Sequence, residues 1–272
     1  MKKKFTIGVI GHLGMVGGAT FRYYKNKGYK VYGYSRRAAD DKRKAYNSDI
    51  IFICVPTPFD WKKKRFDGSI VDKAISQVSD NKIVVLKSTV PIGTTDKLQA
   101  KYPKIKIVFN PEFLSEVTCD LDFRKPDRQI IGYTKGSLKY AKIVMDLLPK
   151  SPNNYIVSTK EAELLKYINN IHGALAVMES NHYYEVCRKE NLNYEKLIQI
   201  ASISKYMNPF YHVIIHKGYR GFGGKCFPKD INTWITYLHD KKIDDTLFSA
   251  VQKMNHRVLK EQGLTERSVE NK

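Results

Sequence analysis

Only four cysteines occur in the 272 residues, and no spacing among Cys54, Cys119, Cys187 and Cys226 suits a zinc clamp or a Cys-x-x-Cys redox pair. No metal site is therefore expected. No apolar run is long enough to cross a membrane, and there is no low-complexity stretch or internal repeat. The opening Met-Lys-Lys-Lys-Phe-Thr-Ile-Gly-Val-Ile-Gly starts like a secretory leader, but its apolar part is short and feeds directly into a glycine loop. It reads as a first β-strand, and the thiols as reduced groups in a cytoplasmic protein. Acidic residues are also scarce, 27 against 47 Lys and Arg, giving a formal charge of +20. Apart from Lys2–Lys4 and Lys62-Lys63-Lys64-Arg65 the basic residues are dispersed, which describes a solvated surface rather than a face for specific nucleic-acid binding.

What is present is an alternation. Apolar, β-branched segments at residues 5–10, 29–34, 49–55, 83–87, 105–109 and 129–133 predict strands. Helical patterns at 14–27, 69–79, 93–101 and 137–148 fall between them. Strands alternating with helices predict a Rossmann-like, doubly wound parallel α/β sheet. The pattern breaks at 149–154, which sets expected domains at 1–154 and 155–272. The second is helical: Ser158-x-x-Glu161 is a capping box that predicts a long helix to about residue 189. Shorter helices are expected at 194–202, 229–239 and 245–261.

Three kinds of motif carry chemistry. Gly11-x-x-Gly14-x-x-Gly17, between the first strand and helix, lets backbone approach a dinucleotide pyrophosphate. After the second strand the usual ribose-binding carboxylate is replaced by Ser35-Arg36-Arg37, with Asp40 and Asp41 further on, so NADP stands beside NAD as a cofactor. The later strands end in polar segments: Val55-Pro56-Thr57-Pro58, Ser88-Thr89-Val90-Pro91, and Asn110-Pro111-Glu112-Phe113-Leu114-Ser115-Glu116. Cys54, inside an apolar strand, reads as packing. Glu112 and Glu116 would face one pocket if Glu112 opened a helical turn. Lys166 and Asn170, one turn apart on the long helix, suit a developing oxyanion. Finally, Gly221-Phe222-Gly223-Gly224-Lys225-Cys226-Phe227-Pro228-Lys229-Asp230 puts a thiol at the start of a helix between two lysines, where the thiolate is favoured.

Taken in order, these motifs resemble the UDP-glucose/GDP-mannose dehydrogenase family across essentially the whole chain. The resemblance implies oxidation of a nucleotide sugar's primary alcohol to a carboxylate with two NAD (or NADP), UDP-glucose to UDP-glucuronate being the leading expectation. Cys226 would trap the aldehyde as a thiohemiacetal and then carry a thioester. Lys166 and Asn170 would stabilise the oxyanion, and Asp230, Thr89 and Glu112 would manage water and protons. Cofactor contacts are expected at Gly11, Leu13, Gly14, Met15 and Val16, at Ser35 and Arg36, and at Val55, Thr57, Thr89, Glu116 and Lys229. Substrate contacts are expected from Glu112, Phe113, Leu114 and Ser115, from Lys166 and Asn170, and from Tyr219, Phe222, Gly223 and Gly224. A homodimer through the central helix is implied as well. Family members continue into a second Rossmann-like, nucleotide-binding domain that has no counterpart in this sequence. The competing expectations are a weakly catalytic homologue that binds a dinucleotide or assembles with a partner, and a basic nucleic-acid-binding protein.

Overall fold

The computed structural model describes residues 5–38, 40–207 and 209–270, so the Lys2–Lys4 run lies outside them. Contacts divide the chain into two compact units, one holding residues to Asp60 and Phe66–Lys166, the other Trp61–Arg65 and the chain from Tyr167 onward.

The first unit is built on β1 (Ile7–Ile10), α1 (Met15–Asn26), β2 (Val31–Tyr34), α2 (Lys42–Tyr46) and β3 (Ile50–Ile53). A small hairpin follows, β4 (Phe59–Asp60) and β5 (Arg65–Phe66), and then α3 (Ser69–Ile75), β6 (Ile83–Leu86), α4 (Thr94–Lys101) and β7 (Lys106–Phe109). The series closes with α5 (Cys119–Arg124), β8 (Arg128–Tyr133), α6 (Leu138–Leu147) and β9 (Asn153–Ser158). Seven strands form one sheet in the order β2-β1-β3-β6-β7-β8-β9. The segments Ile50-Ile51-Phe52-Ile53 and Ile83-Val84-Val85-Leu86 are apolar throughout because helices cover both faces of the sheet. Alternate residues go to opposite cores. Ile51, Ile53, Val84, Leu86, Ile107 and Phe109 pack on one face, and Ile50, Phe52, Ile83, Val85 and Val108 on the other. Each such side chain contributes about 1.5–3 kcal/mol by leaving water. Truncating the fully enclosed Phe52 to Ala should cost about 3–5 kcal/mol.

The sheet departs from the sequence reading in two places. β8 runs antiparallel to β7, so the sheet is mostly rather than wholly parallel. The cause is the connection: the chain returns through the short α5, and α6 then makes the crossover that sets β9 parallel to β8. Residues 153–158, where the alternating pattern had stopped, form the last strand, an edge whose first three residues are exposed and lack the apolar signature. The short α2, α5 and the β4–β5 hairpin were also not legible.

The second unit is helical. α7 (Thr159–Lys189) begins in the first unit and continues into this one, followed by α8 (Tyr194–Ala201), a 3-10 turn at Pro209–Tyr211, α9 (Phe227–Asp240) and α10 (Thr246–Lys260). The capping box forms as expected: Ser158 N–H donates to Glu161 Oε2 at 2.7 Å, and Glu161 N–H to Ser158 Oγ at 3.3 Å. Tyr167, Ile171, Met178, Phe222, Ile231 and Val258 make this unit's main core. Among the described residues no helix is long and apolar enough to cross a membrane.

Candidate active site

Because β2, β1, β3, β6 and β7 are mutually parallel neighbours, the loops after all five emerge along one edge of the sheet. The chain reverses direction across the sheet between β1 and β3, the place where open α/β sheets form a ligand crevice. There Gly11 takes a left-handed φ of 89°. Gly17 lies so close to it that an added Cβ would stand 2.2 Å from the Gly11 carbonyl oxygen, so only glycine fits. Gly14 is the N-cap of α1 and provides no side-chain cap, while Leu13 is exposed and Met15 and Val16 are half-buried. The residues present therefore fit a pyrophosphate: a tight glycine cradle opening onto a helix N-terminus whose first turn is not occupied by a side chain. Among the described residues no cluster of His, Cys, Asp or Glu suits a metal.

The neighbouring loops are tied to each other. Ser88 Oγ donates to the Val55 carbonyl at 2.6 Å, which joins the loops after β3 and β6; Thr57 is buried and Thr89 half-buried beside them. Lys87, enclosed at the end of β6, donates to Asn110 Oδ1 at 2.7 Å, and Asn110 donates onward to the Ile130 carbonyl at 2.8 Å. The sequence places both residues at strand ends, but it assigns neither a role of its own and does not reveal that they pair. Burial pulls the Lys87 ammonium below its ordinary range, partly offset by Glu112.

Glu112 and Lys166 form a nearly enclosed ion pair at 3.1 Å, their side chains only 10% and 6% exposed. Lys166 Nζ also donates to the Glu112 backbone carbonyl at 2.7 Å, and Leu114 N–H donates to Glu112 Oε2 at 3.0 Å. Burial pushes the Glu112 carboxyl up, but Lys166, the Leu114 N–H and Lys87 together outweigh it and hold it below the usual range. Phe113 lies under the Arg128 guanidinium, 4.2 Å from its ring centre. Ser115 N–H donates to Asp122 of α5 at 2.9 Å. Residues 111–115 have no helical turn, so Glu112 and Glu116 do not share a helical face, and Glu116 is exposed. Pro111 and the Leu114 N–H turned back onto Glu112 hold this segment open. Cys54 is packed, its thiol pushed up to about 12 by burial.

In the second unit, Asn170 Nδ2 donates to Asp230 Oδ2 at 2.6 Å, both residues being buried. Lys229 pairs with the other oxygen of Asp230. Cys226 is exposed and caps α9, which starts two residues earlier than the sequence suggested, with Pro228 in its first turn. The Asp230 N–H closes that turn on the Cys226 carbonyl at 2.9 Å, which fixes the thiol's residue to the rigid helix. The preceding loop is held by a residue the sequence did not reveal. Asn255 of α10 accepts from Phe222 N–H at 2.8 Å and donates to the Phe222 carbonyl at 3.0 Å. Tyr219 and Phe222 place their side chains in the unit's interior, while Gly223 and Gly224 are both half-buried.

A glycine-lined crevice at the switch point of a mostly parallel sheet defines the class: a Rossmann-type dinucleotide-binding protein. Residues 34–147 match the NAD-binding domain of the UDP-glucose/GDP-mannose dehydrogenase family and residues 160–257 its central domain, and the chain belongs to that family. It is 30% identical over 218 residues to a UDP-glucose 6-dehydrogenase of Rickettsia prowazekii, covering 77% of this chain and 49% of that protein. With a UDP-glucose 6-dehydrogenase of Campylobacter jejuni it shares 29% over 223 residues, covering 79% and 54%. The chain thus spans about half the length of the curated relatives it matches. The structure of a UDP-glucose dehydrogenase from Pyrobaculum islandicum superposes with a TM-score of 0.83 at 25% identity, covering 96% of this chain and 71% of that one. A UDP-D-ManNAc dehydrogenase from Pyrococcus horikoshii has the same fold, with a TM-score of 0.81 at 22% identity, covering 95% and 70%. NAD is accordingly the cofactor the family's domain takes.

Proposed function

We propose that the chain oxidises the primary alcohol of a nucleotide sugar, UDP-glucose to UDP-glucuronate, through a covalent intermediate on Cys226. The observation that carries this reading is the exposed thiol fixed at the start of α9, one turn from a buried Asp230 that is bonded to Asn170 and Lys229. Gly11, Gly14 and the first turn of α1 would cradle two NAD molecules in succession, each supplying an acceptor for one hydride. The Cys226 thiolate adds to the aldehyde carbon to give a thiohemiacetal. The second oxidation leaves a thioester, and water then cleaves the C–S bond, releasing the carboxylate and the thiolate. Lys166 and Asn170 stabilise the oxyanion of each tetrahedral species. Glu112, held ionised, accepts a proton from the attacking water, with Thr89 and Asp230 ordering that water.

We also infer a homodimer through α7, working in a reducing cytoplasm. Support comes from the apolar surface of α7 and α8, where Tyr183, Val186, Leu197 and Ile200 are exposed. Sedimentation of Val186→Lys against the parent tests it.

The function is tested by NADH formation from UDP-glucose, GDP-mannose and UDP-N-acetyl sugars. Turnover is expected with one of them, none with Cys226→Ala, and with Cys226→Ser at most a slow release short of the free acid. No absorbance change with any sugar overturns the activity; a Cys226→Ser variant producing acid at the parent rate overturns the thioester.

A further inference from the structure

A dinucleotide crevice of this kind needs an acceptor for the adenosine ribose diol at the tip of β2, where this chain has Ser35. The fold supplies a carboxylate from elsewhere. Asp40, beyond the turn that follows β2, folds back so that its Oδ2 accepts the Ser35 N–H at 2.8 Å. The same oxygen lies 3.6 Å from Nδ1 of His12, the second residue of the glycine loop. His12 is itself fixed. Its ring packs against Phe21 at 5.3 Å between centres and lies over Gly33, where any Cβ would stand 2.6 Å from the ring. The carboxylate is thus seated between the strand tip and the glycine loop, with its side chain 19% exposed. Among the described residues these contacts engage Oδ2, which leaves Oδ1 for a hydroxyl.

We propose that Asp40 is the ribose-diol acceptor of this site and sets its preference for NAD over NADP. A carboxylate accepts the 2′ hydroxyl and repels a 2′-phosphate. The exposed Arg36 and Arg37 beside it favour that phosphate, so the two influences oppose each other at one position. The proposal rests on the crevice binding a dinucleotide and is independent of the sugar chemistry.

The test is direct binding of NADH and NADPH, followed by nucleotide fluorescence, with thermal melting as the check on folding. The parent should bind NADH at least tenfold more tightly than NADPH. Asp40→Asn, which keeps the shape, should weaken NADH about tenfold while NADPH holds or improves. Adding Ser35→Asp to that variant, which returns a carboxylate to the strand tip, should restore most of the NADH affinity, a rescue that a merely structural role would not give. Arg36→Ala in the parent should lower NADPH affinity more than NADH affinity. Asp40→Asn binding NADH as tightly as the parent, losing both nucleotides equally, or resisting rescue overturns the proposal. So does a parent that binds NADPH as well as NADH. A parent that binds neither removes the dinucleotide reading as well, whereas binding without sugar turnover removes only the proposed activity.

Discussion

Two enclosed glutamates of the first unit, Glu112 after β7 and Glu163 on α7, show opposite behaviour in similar burial. Glu163 is fully enclosed and caps α4 from a distance: Thr95 N–H and Oγ1 donate to Oε1 at 2.8 and 2.6 Å, and Gly93 N–H donates to Oε2 at 2.5 Å. Burial drives its carboxyl up, these neutral donors recover only part of the loss, and it settles at about 7. Glu112 is nearly as enclosed, but it faces the Lys166 and Lys87 ammonium groups and stays below its ordinary value. Hydrogen bonds from neutral groups make a carboxylate tolerable inside a protein; nearby full charges make it the favoured form. The first arrangement suits a tether between helices, the second a group kept ionised for chemistry.

Removing the cation should have the largest effect. Lys166→Met leaves Glu112 an enclosed charge with Lys87 as its remaining counter-cation, and should cost about 3 kcal/mol by urea unfolding and abolish turnover. A loss under about 1 kcal/mol would show that the pair is solvated. The pH dependence separates the two glutamates by sign. Glu163 has a folded value of about 7 against 4.5 for the ordinary group, so its protonated form stabilises fully below about pH 4.5. That contribution is lost as pH rises through about 7, and the whole span is about 3 kcal/mol at 1.36 kcal/mol per pH unit. Glu112, lowered, contributes above pH 4.5 and loses its contribution as pH falls through its folded value. Unfolding of Glu163→Gln and Glu112→Gln against the parent from about pH 2 to 8 should therefore give difference curves of opposite slope in separate windows, that of Glu112 below about pH 4.5 and that of Glu163 between about 4.5 and 7. Parallel curves would break the comparison. The smallest effect on folding belongs to the residue with the largest proposed role in chemistry. Cys226 is exposed, so Cys226→Ala should change stability by less than about 0.5 kcal/mol while stopping turnover.

The candidate site was legible wherever local chemistry is unusual: glycines between a strand and a helix, a cysteine before Phe-Pro at a helix start, and Lys166 and Asn170 one turn apart. What went unread were partners distant in the chain. Asn110 receives Lys87 from 23 residues away, Asn255 holds the Phe222 backbone from 33, and Glu163 reaches Thr95 from 68. A lone Asn or Glu in a helix or loop carries no sign of such a partner.

Alternating apolar strands and helices, the capping box at Ser158, and the order of the strand-end motifs were determined by the sequence alone, because each depends on neighbours within one or two turns of chain. The tertiary structure decided which strands run side by side and in which direction, including the reversal at β8. It also decided the ionisation of Glu112 and Glu163, and the carboxylate at the tip of β2, which comes from Asp40 rather than from the residue at that tip. Direction, ionisation and site occupancy all depend on the charges and backbone that surround a group in space, and chain separation does not encode them.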